Sequence, residues 1–205
     1  MLWIGITGPM GSGKSTVAHR LRQMGFEVLD ADEVARRVLG PGTAGEVEVI
    51  QTFGQQLRGE DGRLDRRALG RLVFNDKEKL DRLEGIIHPL IRDEVAEARR
   101  KLAARGVAVA FYDVPLLFEK NMQAQFDHVL VVSAEKKLRD ERVKIRSQLS
   151  AAEIEERNAR HLPPEVKEAA ASAVIRNNGT AAELELEIKR ALIKIGVKLP
   201  AAAQS

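Results

Sequence analysis

Apolar positions fall along the chain in two rhythms. Unbroken apolar runs stand at Leu2-Trp3-Ile4-Gly5-Ile6-Thr7, Val107-Ala108-Val109-Ala110-Phe111-Tyr112 and His128-Val129-Leu130-Val131-Val132. They read as strands, and the last two as strands buried on both faces, which is the habit of a parallel sheet. Glu27-Val28-Leu29 and Ala173-Val174-Ile175-Arg176 read as shorter strands. Between the strands the apolar residues space out at helical intervals. Val17, Leu21 and Met24 share one face, as do Val34, Val38 and Leu39, then Ile91, Val95, Ala98 and Leu102, and finally Leu184, Ile188, Ala191, Leu192 and Ile195. Strands alternating with helices predict an α/β domain.

Punctuation residues bound these elements. Gly25, Gly106 and Gly196 stand where helices end. Asp76 is placed to cap a helix. Ser150-Ala151-Ala152-Glu153 and Thr180-Ala181-Ala182-Glu183 are capping boxes. Asn177-Asn178-Gly179 is a turn signal. Proline lacks the backbone N–H and restricts the residue before it, so the spacing predicts that His88-Pro89 interrupts one helix and that Pro89 opens the next. Pro163-Pro164 is expected to end the helix that Ser150 starts. From Thr43 to Phe74 short helical segments alternate with turns such as Asp61-Gly62, a stretch longer than a plain crossover. It reads as a helical excursion on the acceptor side of a cleft.

Between the first strand and the first helix lies Gly8-Pro9-Met10-Gly11-Ser12-Gly13-Lys14-Ser15-Thr16, which fits G-x-x-x-x-G-K-[ST] in the strand-to-helix context that a phosphate-cradling loop needs. The glycines let backbone N–H groups of Gly11, Ser12 and Gly13 approach phosphate oxygens, and the helix N-terminus adds its dipole. Lys14 reaches the β- and γ-phosphates, the Ser15 hydroxyl suits Mg²⁺, and Thr16 lies near the α-phosphate. A nucleoside triphosphate is therefore the expected ligand.

Other candidates carry a plainer reading beside the functional one. Asp30 and Asp32 follow the second strand, where α/β sheets keep their sites. Asp32 is either the acceptor-side carboxylate or a cap for the helix after it. Asp113 ends the third strand and is either a Walker-B-like carboxylate or a loop-start residue bound to local backbone. Pro115-Leu116-Leu117-Phe118-Glu119 either lines an acceptor pocket or turns into the core. His88 stands at the expected helix junction, with a cap or packing role as the plainer alternative. From Glu135 to Arg146 six basic residues face three acidic ones, and Arg139, Arg142 and Arg146 fall at i, i+3 and i+7. That stripe is either a solvated surface or a lid that brings arginines over the triphosphate during transfer.

Composition narrows the classes. The 205 residues are 44% apolar and 31% charged, with a net charge of +3 (33 basic minus 30 acidic). The length suits one domain with a core, and the small charge makes no case for nucleic acid. Eight aromatic residues, spread along the chain, make no stacking platform either. Without cysteine there are no disulfides or thiolate metal sites, which favours a cytoplasmic address. No apolar run approaches a membrane span, and the N-terminus lacks the basic region of a signal peptide. Neither an Asn-Lys-x-Asp motif nor an Asp-x-x-Gly switch is present, which argues against a GTPase switch.

Taken in order, Gly5 through Thr16, Asp30-Ala31-Asp32 with Arg36, His88-Pro89, Asp113-Val114-Pro115-Leu116-Leu117-Phe118-Glu119, and Val174-Ile175 followed by Asn177-Asn178-Gly179 resemble the dephospho-CoA kinase family over nearly the whole chain. Departures from its pattern are Pro9, His161-Leu162-Pro163, Ser172 and Arg176. The resemblance implies a nucleoside-monophosphate-kinase-like P-loop fold of three layers. It has a five-stranded parallel sheet in a core of residues 1–40, 106–134 and 173–196, a helical acceptor-binding region at 41–105, a lid at 135–164 and a frayed tail from 200. It implies phosphorylation of the ribose 3′-hydroxyl of dephospho-CoA by ATP with Mg²⁺, and no partner beyond that small molecule. By analogy Asp32 orients or accepts the hydroxyl proton, and Arg36, His88, Asp113, Leu116 and Leu117 hold the acceptor. Arg142 and Arg146 meet the phosphates, and Asn177 lies near the adenine. A monomer or weak homo-oligomer is expected. The competing readings are another nucleoside or nucleotide kinase of the same fold and, more remotely, a nucleotide-binding switch.

Overall fold

The computed structural model describes residues 1–74, 76–147 and 161–200. Five strands, β1 (Leu2–Thr7), β2 (Glu27–Asp30), β3 (Val109–Asp113), β4 (His128–Ser133) and β5 (Ala173–Arg176), form one parallel sheet in the order β2-β3-β1-β4-β5. The expected α/β class and five-stranded parallel core are both observed. β1 is central: Ile6 pairs in register with Asp113 of β3 and with Leu130 of β4, and Asp30 of β2 pairs with Asp113. The order turns back at β1, so the C-terminal ends of β1 and β3 open where such sheets bind ligands.

Alternation along the strands divides the core. Ile4 and Ile6 point to one face, where Val17 and Leu21 of α1 (Lys14–Gln23) and the later C-terminal helix Ala181–Lys194 close over Phe111, Leu130 and Ile175. Trp3 points to the other face and stacks on Tyr112 and Phe126, with ring centroids 5.7 and 6.4 Å away. The capping box at Thr180 forms as expected: Thr180 accepts from Glu183 N–H while the Glu183 carboxylate accepts from Thr180 N–H at 2.6 Å. Glycines at positive φ end α1 and the C-terminal helix, at Gly25 and Gly196.

The chain divides into two compact units, Met1–Asp30 with Gly106–Ser205, and Ala31–Arg105. The second compact unit begins at Ala31, ten residues before the 41–105 region expected to bind the acceptor. The second unit holds α2 (Ala31–Val38), α3 (Ala44–Phe53), α4 (Arg66–Phe74) and α5 (Lys77–Ala104), with a short 3₁₀ turn at Gln55–Leu57. Its core is its own, gathered around Val49, Ile50, Leu57, Leu69, Val73 and Leu83. The buried Glu46 carboxylate ties two loops of this unit together, accepting from Gly42 N–H at 2.6 Å and Leu64 N–H at 2.9 Å. Asp76 caps α5 by accepting from Lys79 N–H at 3.0 Å.

One expectation is overturned here. α5 runs unbroken for 28 residues with Pro89 inside it, so His88 lies in mid-helix rather than at a junction. The residue whose carbonyl the proline ring crowds, four positions back, is Gly85. α2, α3 and α4 all pack on α5, and that packing outweighs the single lost hydrogen bond.

In the first unit, α6 (Lys136–Ser147) follows β4, and a short helix α7 (Pro164–Ala169) precedes β5. The C-terminal helix is α8 (Ala181–Lys194). Pro163 and Pro164 lead into α7, with Pro164 at its first position, where a missing N–H costs nothing. The capping box expected at Ser150 lies outside the described residues.

Candidate active site

The P-loop forms where β1 meets α1. Thr7 is buried, and its hydroxyl donates to the Pro115 carbonyl at 3.1 Å. Gly11 and Gly13 hold φ of 78° and 89°, a region that strains any residue with a Cβ. At Gly13 space adds a second reason, because a Cβ would collide with the Asn177 amide. That amide donates to the Ser12 carbonyl at 2.9 Å. Thr16 N–H donates to the Gly13 carbonyl at 2.9 Å, which leaves the Lys14 and Ser15 N–H groups at the start of α1, and its first turn carries no acidic side chain. Backbone donors and the helix dipole thus face the same anion position. Ser15 and Thr16 are exposed in that first turn.

Lys14 pairs with Asp113, whose side chain is almost wholly buried at the end of β3. The carboxylate holds the P-loop lysine, a contact that neither reading of Asp113 named. Arg142 of α6 donates to the Asn177 carbonyl at 2.9 Å and to the Gly11 carbonyl at 3.5 Å. The arginine stripe is thereby sorted. Arg139 is buried and donates to the Ala134 carbonyl at 3.0 Å, Arg142 lies against the P-loop, and the Arg146 side chain lies outside the described residues.

Two expectations change in detail. The Asn177 side chain is committed to the Ser12 carbonyl and shapes the loop. Leu117 has no exposed surface and packs toward Gly5, so it presents nothing to an acceptor, whereas Leu116 keeps some surface. An apolar residue next to another apolar residue carries no sign of which one turns inward.

β2 runs into α2, the first helix of the second unit, without a loop. Asp32 sits inside the first turn of α2 rather than ahead of it, so it is not the helix cap. The positive end of the helix dipole favours its carboxylate there. Arg36 is one turn on, exposed like Asp32. The His88 side chain is about half exposed on α5, with Nε2 3.8 Å from a Glu84 carboxylate oxygen. A groove of about 420 Å³ in this unit is lined by three carboxylates, Asp93, Glu94 and Glu97, against one cation, Arg100, a net negative charge that does not suit a polyphosphate.

Sequence reasoning missed one cluster of the first unit. Lys167 is fully buried with Nζ 2.5 Å from Glu119 Oε1, which also accepts from Leu162 N–H at 2.9 Å. His161 Nδ1 is 3.4 Å from the same oxygen. Burial pushes the Glu119 carboxyl up, but the Lys167 and Leu162 hydrogen bonds outweigh it, and the net shift is downward. Burial first and the Lys167 charge second hold the His161 imidazole below its ordinary range. Glu119 stood in a noticed motif and His161-Leu162 in a departure from the family pattern, but nothing joined them. Lys167 is one basic residue in a mixed-charge stretch, and nothing local marks it.

The model of the dephospho-CoA kinase family matches residues 2–183. The chain belongs to the dephospho-CoA kinase family. It is 46% identical over 192 residues to the dephospho-CoA kinase of Bdellovibrio bacteriovorus, covering 94% of this chain and 95% of that one. Its fold matches a crystal structure of a Thermus thermophilus protein at TM-score 0.82 and 40% identity, covering 94% and 97% of the two chains. The dephospho-CoA kinase of Campylobacter jejuni superposes at TM-score 0.71 with 27% identity, covering 94% and 96%. The Lys14–Asp113 pair and the Asp32–Arg36 turn thus sit in a dephospho-CoA kinase framework. No described helix is long and apolar enough to cross a membrane.

Proposed function

We propose that the chain transfers the γ-phosphoryl group of ATP to the ribose 3′-hydroxyl of dephospho-CoA, giving CoA and ADP. The observation that carries this reading is a P-loop whose lysine is held on a strand-end carboxylate, in a chain of this family. The oxygen of the 3′-hydroxyl attacks the γ-phosphorus, the bond to the β–γ bridging oxygen breaks, and the hydroxyl proton leaves to a carboxylate. Asp32 takes or orients that proton. Arg36, His88, Asp113 and Leu116 hold the acceptor. Lys14 and the backbone donors at Gly11, Ser12 and Gly13 hold the phosphates, Thr16 the α-phosphate, and Arg142 and Arg146 meet charge that develops in transfer. The exposed Ser15 hydroxyl beside Lys14 fits Mg²⁺, which keeps most of its shell in water and phosphate oxygen and needs no carboxylate cage. When bound, Mg²⁺ neutralises phosphate charge. The reading places the enzyme in the cytoplasm as a monomer or weak homo-oligomer.

The test is ADP release from ATP and Mg²⁺ with dephospho-CoA, AMP, dTMP, adenosine or no acceptor, each product identified by mass. Fast release with dephospho-CoA alone, yielding CoA, is the expected result. Release with a monophosphate instead would replace the acceptor assignment, and release equal to the no-acceptor control would reject a kinase.

A further inference from the structure

The segment after β3 carries a carboxylate at each end, and each carboxylate holds one lysine. Asp113 at the start holds Lys14 of the P-loop, and Glu119 at the end holds Lys167 of α7. The stretch between them is fixed. Thr7 of β1 donates to the Pro115 carbonyl, and Leu117 and Phe118 are in the core. Lys120 N–H and Met122 N–H return to the Leu116 and Leu117 carbonyls at 3.0 and 2.9 Å. Glu119 and Asp113 are thus joined by a short stretch held by backbone hydrogen bonds and core packing.

On the other side, Glu119 gathers three groups from one piece of chain: the His161 imidazole, Leu162 N–H and the Lys167 ammonium. This piece begins where the chain re-enters the described structure, after the region expected to act as a lid. Lys14 also lies within electrostatic reach of the His161 ring. A buried ion pair adds little stability over well-packed apolar side chains. What it adds is one defined arrangement, because the Lys167 ammonium meets the Glu119 carboxylate only in that geometry.

We propose that Glu119 is a positioning residue for phosphoryl transfer. With Lys167, His161 and Leu162 N–H it fixes the stretch at 161–167 to the loop after β3, and through that loop it sets Asp113 and Lys14 against the phosphates. Glu119 touches neither donor nor acceptor. The cluster acts on the orientation of Lys14, so it should govern turnover more than binding.

The proposal rests on the kinase reading, and the parent enzyme's turnover of dephospho-CoA in the same assay tests that reading separately. Three proteins are compared: the parent, Glu119→Gln, and the double variant Glu119→Gln/Lys167→Met. Glu119→Gln leaves a buried ammonium without its counter-charge, so a lower melting temperature is expected together with a kcat lower by roughly 10-fold or more. KM for ATP and for dephospho-CoA should each move by less than about 3-fold. The double variant removes both charges, so its melting temperature should return toward the parent's while kcat stays low. A purely structural role would let kcat recover with stability in the double variant, and that result overturns the proposal. So does a kcat for folded Glu119→Gln within about twofold of the parent. If Glu119→Gln does not fold, the double variant alone decides, by a low kcat for the proposal or a parental one against it.

Discussion

Asp32 and Asn177 each make one contact or carry one charge whose loss can be read in kinetics. Asp32 is exposed in the first turn of α2. Asp32→Asn keeps the shape and removes the base. It should lower kcat by ~10²-fold or more with little change in KM for ATP, measured by steady-state ADP release. A kcat near that of the parent would remove Asp32 from the chemistry. Asn177 offers a sharper discrimination between two roles. As a brace, its amide holds the Ser12 carbonyl away from the phosphates. Losing a hydrogen bond worth ~1 kcal/mol should raise KM about 5-fold for ATP and equally for GTP. An adenine contact would instead narrow the preference for ATP over GTP. Titrating Asn177→Ala with both nucleotides separates these outcomes.

Among the elements, the strands were legible and the long helix was not. Apolar runs at Leu2–Thr7, Val107–Tyr112 and His128–Val132 carry their own signal, since a strand buried on both faces has to be apolar throughout. α5 was read as two helices because the proline rule is local, whereas the force that keeps it whole is the packing of α2, α3 and α4. The candidate site divides in the same way. The P-loop and Asp113 were visible as motifs, but the Glu119–Lys167 pair joins positions 48 residues apart in the chain (167 minus 119), beyond any local pattern. The helix makes its own prediction. Gly85 in α5 has open space where a Cβ would stand, so Gly85→Ala should stabilise the second unit. The expected gain is ~0.5–1 kcal/mol, from backbone entropy, read as a higher urea midpoint with unchanged slope. A loss of stability would mean that the alanine methyl strains the turn around Pro89.

Over the whole molecule, each compact unit carries a buried carboxylate that works only when ionised, and this sets how the protein responds to acid. In the second unit the Leu64 and Gly42 hydrogen bonds hold Glu46 below its ordinary 4.5. In the first, Glu119 is also below 4.5, since its hydrogen bonds outweigh the cost of burial. For a carboxylate with a depressed folded value, the unfolded chain binds the proton more readily. The stabilisation is therefore present above about pH 4.5 and is lost as the pH falls through the lower folded value. His161 acts in the same direction from a higher starting point. Burial keeps its imidazole neutral, so below its ordinary 6.5 the unfolded chain takes up a proton that the folded protein refuses. Stability should therefore decline gently from about pH 6.5 downward and more steeply below about 4.5. Urea unfolding at pH 7.5, 5.5 and 4.0 measures both phases. In His161→Gln the decline between pH 7.5 and 5.5 should flatten while the lower phase remains, because glutamine does not titrate and Glu46 and Glu119 still do. An unchanged upper phase in that variant would mean that His161 does not cause it.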